Sequence, residues 1–193
     1  MTTSKRRSRW SGAVACIAAA SLLAACTPHD PGPTTAPPTQ TTSPTPSATS
    51  SVDPAIAEAE AAILEAYQGY WAAKVASFAD PAQPQDPNLA HFAIDTALAE
   101  AQSTLFSMQS NGIAFVGAPQ LSPVVSNISL GDESTAEVAD CVDVTDWQPV
   151  YTATGDSAAA PDQALRVPTE STAYFYDGRW TIRTSVVHRD TTC

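Results

Sequence analysis

Asp140 stands where a carboxylate could do chemistry. It lies in the run Ala136-Glu137-Val138-Ala139-Asp140-Cys141-Val142-Asp143. Strand alternation places Ala136, Val138, Asp140 and Val142 on one face and Glu137, Ala139, Cys141 and Asp143 on the other. The first set has the make-up of a core-facing side, so Asp140 would be an acid inside an apolar space. Trp180, Ile182, Thr184 and Val186 alternate in a later segment and would face the same space. Tyr67, Tyr70 and Trp71 would cover it from a helix. Burial disfavours the charged form of an acid, and a carboxyl with a raised pKa can act as a general base. The plainer reading is that Asp140 accepts hydrogen bonds from Tyr or Thr hydroxyls, or from Arg183 or Arg179, and ties helix to sheet. We take the plainer reading as the expectation. A slip of one residue would turn Asp140 outward.

The other reactive residue types offer less. The chain has no Gly-rich phosphate loop, HExxH, nucleophile elbow or dinucleotide fingerprint. His91 and Asp95 are four apart and could pair, although a capping contact is expected. His188 is expected on an exposed edge. Asp140, Asp143 and Asp146 lack the glycine and closing glutamate of a calcium loop and read as solvated surface. No metal or cofactor is expected.

Four cysteines remain to be placed: 16, 26, 141 and 193. Lys5, Arg6, Arg7 and Arg9 precede the moderately apolar stretch 10–25, which ends in Leu23-Ala24-Ala25-Cys26. That is the layout of an export signal, short and alanine-rich for a membrane span. Leu23-Ala24-Ala25-Cys26 resembles the lipobox of bacterial lipoproteins. The resemblance implies that residues 1–25 are removed and that the Cys26 thiol carries a diacylglyceryl group with palmitate-type chains. Two acyl chains give lasting attachment where one gives marginal binding. The expected partner is therefore the lipid bilayer, and the expected location is the outer face of the cell membrane. Arg6-Arg7 hints at twin-arginine export, but its flanks fit poorly.

Cys16 would leave with the signal, so Cys141 and Cys193 are the remaining pair. Outside the cytoplasm such a pair is expected to form a disulfide. The enclosed loop implies about 4 kcal/mol in the chain-entropy model. The rival, a free redox or metal thiol, lacks a CxxC partner or a nearby His at ligand spacing.

Residues 26–52 follow as a Pro/Thr/Ser-rich linker with little to bury. In polyproline geometry it could reach roughly 80 Å, at about 3.1 Å per residue. All twenty acidic residues lie after the signal, against five of the nine basic ones, a formal charge near −15. Such acidity argues against nucleic acid, whose phosphates need cationic partners.

The folded part, 53–193, must position Asp140 and its neighbours. Asp53-Pro54 supplies a helix cap and a first-turn proline. Ile56, Ile63, Tyr67, Tyr70/Trp71, Lys74/Val75 and Phe78 give one apolar face of a helix over about 54–78. Residues 88–93 read as a short helical turn. Asp95 can cap a second long helix, with Leu98, Ala101, Leu105 and Met108 inward and Asn111-Gly112 ending it. The period then changes to two. It predicts strands at about 113–118, 121–130, 134–144, 147–153, 164–176 and 179–189. Helices first and antiparallel strands after make an α+β domain, two long helices covering one face of a curved sheet.

The succession "AYQGYWAA", "DPNLAHFA", "LSPVVSNISLGDESTAEVADCVDVTDW" and "YDGRWTIR" with a terminal cysteine resembles a group of alanine-rich actinobacterial lipoproteins with a nuclear transport factor 2-like fold. The resemblance covers 53–193 and is most specific in "ADCVDVTDW". It implies a cone with a pocket at its wide end, and no catalytic motif comes with it. Fold alone decides little about activity.

Two functions are therefore expected in competition. The first is a non-catalytic binding or accessory module of the cell envelope, with a protein, wall component or small hydrophobic ligand as partner. The second is a small-pocket isomerase or hydratase with Asp140 as base and Tyr67 or Tyr70 as hydroxyl donor. A cavity of several hundred Å³ with two or more polar side chains would favour the enzyme. A pocket filled by Trp71, Phe106 and Trp180 would leave surface binding. An exposed sheet face could also pair two copies as a homodimer.

Overall fold

The computed structural model describes residues 53–193; the expected signal, Cys26 and the linker lie outside them. Three helices come first, α1 (Pro54–Ala79), α2 (Asn88–Phe92) and α3 (Asp95–Asn111). Six strands follow: β1 (Ile113–Gly117), β2 (Val124–Ser129), β3 (Thr135–Asp143), β4 (Trp147–Tyr151), β5 (Arg166–Tyr176) and β6 (Arg179–Val187). The class is α+β, helices before sheet, and the six strands pair antiparallel; a single parallel bridge joins Ala93 to Ile182.

The α1 helix starts where the sequence signals it. The Asp53 carboxylate accepts from the Ala55 N–H at 2.9 Å, satisfying an otherwise orphaned donor, with Pro54 in the first turn. Ile63, Tyr67, Tyr70, Trp71 and Phe78 are buried along its inner face. Gly112 ends α3 in the left-handed conformation, φ +61°. Asp95 does not cap α3 as expected. It is the first helical residue, at φ +48°, and its carboxylate pairs with Arg183 at 2.8 Å.

The strands form two sheets where one curved sheet was expected. Four run in the order β2-β3-β5-β6, and β1 pairs with β4 apart from them. A bridge between Gln120 and Asp143 links the segment after β1 to the end of β3. The split gives β1 and β4 their own inner face, from which Phe115 and Trp147 meet α1. Helix α1 packs on β1, β2 and β6, and α3 on β1 and β6.

The inner face of β3 is as the alternation predicts: Ala136, Val138, Asp140 and Val142 are buried. On β6 the alternation breaks. Ala173 pairs with Ile182, yet Thr172 pairs with Thr184, so Arg183 is an extra residue without a partner. Such a bulge reverses the faces of everything beyond it. Trp180 and Ile182 point inward before the bulge; Ser185 is buried after it, and Val186 is 51% exposed. Thr184 and Val186, expected inside, are therefore turned out.

Cys141 and Cys193 form a disulfide, with Cα atoms 5.9 Å apart. Among the described residues, no helix is long and apolar enough to cross a membrane.

Candidate functional site

Asp140 is 6% exposed, and both of its oxygens are engaged. Oδ1 accepts from the Ser122 N–H at 2.8 Å, and Oδ2 from the Tyr67 hydroxyl at 3.1 Å. Burial raises the carboxyl above the usual carboxylate range, and the Ser122 and Tyr67 donors hold the rise in check. Burial, then the Asp140 charge, pushes the Tyr67 phenol far up as well. The pair is thus an acceptor fully matched to its donors, joining α1, the segment before β2, and β3.

A cleft of about 670 Å³ opens next to this pair, between α1, α3 and the strand ends. Neither Asp140 nor Tyr67 lines it. Tyr70 and Trp71 do, with Lys74 and Phe78 further along α1. Phe115 of β1 and Trp147 of β4 form the facing wall. Phe78 stacks on Trp147 with ring centres 6.1 Å apart, Phe115 approaches Trp147 at 4.5 Å, and Trp71 meets it edge-on at 5.7 Å. Each such aromatic pair contributes about 0.5–1.5 kcal/mol beyond its buried area. The wall is therefore aromatic and closely packed.

The charge in this cleft is Lys74. Its ammonium lies over the Trp71 ring at 4.1 Å and the Tyr70 ring at 5.0 Å. Burial, with a further push from Arg189 and opposed by Glu100, lowers its pKa to about 8. Burial pushes the Tyr70 phenol up to about 12, the Ser185 hydroxyl opposing. Trp147 also carries a buried indole N–H with no protein acceptor. Glu100, Asp162 and Arg189 line the cleft from exposed positions.

Of the residues singled out from sequence, Tyr70 and Trp71 meet in the cleft, and Tyr67 and Asp140 meet beside it. Trp180 does not reach it; its ring packs edge-on against Phe175 at 5.7 Å. Thr184 lies on the outer side of the sheet and accepts from the Thr172 N–H at 3.3 Å. Phe106 is 70% exposed and fills nothing. The arginines proposed for Asp140 are spoken for: Arg183 by Asp95, and Arg179 by Asp177 and the His91 carbonyl. His91 does not pair with Asp95; its ring meets Phe92 edge-on at 4.7 Å. His188 Nε2 lies 3.4 Å from Glu170. Among the described residues, no group of three or more His, Cys, Asp or Glu could hold a metal ion.

Sequence reasoning missed Lys74, Phe115 and Trp147 as site residues. A signal existed for the first. Lys74 is the single lysine after the expected signal, and it falls on the apolar stripe of α1. A cation there must either leave the core or give it an opening.

No family model and no curated protein matches this chain. Among solved structures, the intermembrane space region of the chloroplast protein ARC6 aligns at 12% identity, over 72% of this chain and 98% of that one, with a TM-score of 0.38. At that score the likeness carries no argument about fold or function.

Proposed function

We propose that the chain is a lipid-anchored extracytoplasmic lipoprotein whose folded part is a binding module for a small ligand with an apolar body. The membrane anchor is the diacylglyceryl group on Cys26, and the linker 26–52 holds the domain off the bilayer. The fold is read as a nuclear transport factor 2-like cone of the actinobacterial lipoprotein type. Its support is the helices-first order and the cleft between helices and strand ends.

The observation that carries the binding role is the cleft itself. At about 670 Å³ it has the size of a small-molecule site, and a packed aromatic wall lines it. The catalytic alternative has in its favour the same open cleft with polar side chains. It lacks its base, because Asp140 lies outside the cleft with both oxygens occupied.

Two measurements test the reading. Mass spectrometry of the native protein is expected to find Cys26 acylated and first in the chain; an intact residue 1–25 segment without acyl groups would overturn the anchor. Solvent extraction of the purified protein is expected to release a small molecule in near one-to-one amount. Asp140→Asn should keep that binding. Turnover of a ligand by the parent that Asp140→Asn abolishes, with the fold intact, would return the balance to an enzyme.

A further inference from the structure

We infer that the ligand of this cleft is a carboxylate with an apolar body, its acid head paired with the Lys74 ammonium and its body lying on Trp71, Phe78 and Trp147. The inference rests on the binding-module reading and names the ligand class for the same site.

The first argument is an unmatched charge. The chain carries twenty acidic side chains, yet among the described residues none lies within ion-pair distance of Lys74. Its ammonium is held by ring faces at 4.1 and 5.0 Å, which attract a cation without supplying an anion. A half-buried ammonium so placed gains from any carboxylate that enters.

The second argument is the hydrogen-bonding sense of that group. A lysine ammonium is a donor only. Lys74 Nζ makes no side-chain hydrogen bond or ion pair among the described residues. It is therefore a donor at the cleft without a protein acceptor. A carboxylate, with its two acceptor oxygens, complements that surface; an ammonium or a neutral alcohol does so less well.

The remaining charges do not reverse this. Glu100 reaches the cleft from α3, Asp162 from the loop before β5, and Arg189 from the segment after β6. All three are exposed and screened by water. Tyr70, beside Lys74, stays neutral until about pH 12. Lys74 is the charge held against the apolar wall. The size of the cleft sets the scale of the body: a few fused rings or a folded medium-length chain fit within about 670 Å³.

The test compares two fluorescent probes of nearly equal shape, pyrenebutyrate and pyrenebutanol, against the full-length chain carrying Cys26→Ser, so that no acyl chain competes. The butyrate is expected to bind one to one at pH 7, about tenfold more tightly than the alcohol. Lys74→Met should remove that preference, bringing the two probes to nearly equal affinity. The preference should also fade between pH 7 and pH 10 in the parent and persist in Lys74→Arg, whose guanidinium keeps its proton. Equal binding of both probes, or a preference that survives Lys74→Met, overturns the ligand class and leaves the cleft as a binding site. Binding of neither probe overturns the ligand class and the binding-module reading together.

Discussion

The Tyr67 hydroxyl donates to the Asp140 carboxylate at 3.1 Å, a side-chain bond between α1 and β3 across 73 residues of sequence. The two variants that disturb it should respond to pH in opposite directions. Burial raises the Asp140 pKa in the folded state. A raised carboxyl adds stability below its unfolded pKa and gives it up as pH rises through the folded value. Asp140→Asn keeps one acceptor oxygen and so loses one of the two bonds, but it also loses that pH-dependent penalty. Its deficit against the parent should be about 1 kcal/mol at pH 3.5 and smaller at pH 7. Tyr67→Phe removes a donor that favours the ionised acid. Its deficit should be larger at pH 7, about 1.5–3 kcal/mol, than at pH 3.5. Denaturant titrations of both variants at the two pH values read the signs directly.

Lys74 gives a second pH signature. Its folded pKa, about 8, lies below the ordinary lysine value of 10.5. Folding therefore sheds a proton, so this stability is present above the unfolded pKa and is lost as pH falls through about 8. Lys74→Met should stabilise the domain at pH 6–7, on the order of 1–2 kcal/mol once its partial exposure is discounted, and the gain should vanish above about pH 10.5. Lys74 is the single lysine after the expected signal, so amine labelling read at its own peptide, apart from any α-amino group, should titrate with a midpoint near pH 8.

The Cys141–Cys193 bond closes a loop of sequence separation 52. Reduction, Cys141→Ser and Cys193→Ser should each cost about 4 kcal/mol by the chain-entropy argument. The double variant should cost no more than either single one, since all remove the same bond. A lower Tm that differs widely between the two single variants would mean that the thiols have separate roles.

Gly69 lies in the middle of α1 under the Phe92 ring. A Cβ there would come within 2.5 Å of Phe92 Cε2. Gly69→Ala gains roughly 1 kcal/mol of helix propensity and pays about 1–3 kcal/mol of overpacking. The net effect should be a lowered Tm, and adding Phe92→Leu should recover most of it.

Much of this architecture was legible in local rules, and the reason is physical. The Asp53-Pro54 cap, the apolar stripe through Tyr67, Trp71 and Phe78, and the inner face of β3 follow from short-range geometry, and each stands as expected. What local rules miss depends on partners far away in sequence. The Arg183 bulge is set by pairing with β5, so Thr184 was placed on the wrong face. Local rules make Asp95 a cap because its pairing with Arg183 lies 88 residues away. The Asp140–Tyr67 contact was anticipated by residue type, whereas the facing wall was not. Phe115 and Trp147 reach the cleft because β1 pairs with β4 outside the main sheet, and no periodicity encodes that choice.

The irregularity at Arg183 makes one strand into two independently tunable halves. Trp180 and Ile182 belong to the structural interior, whereas Ser185 and Val187 border the cleft. Selection, natural or in a mutant library, can rewrite positions 185 and 187 for a new guest molecule while the upstream half goes on holding the domain together. Deleting Arg183 would restore plain alternation with Ser185 and Val187 still inward, and would sacrifice the ion pair that fastens the start of α3 to β6.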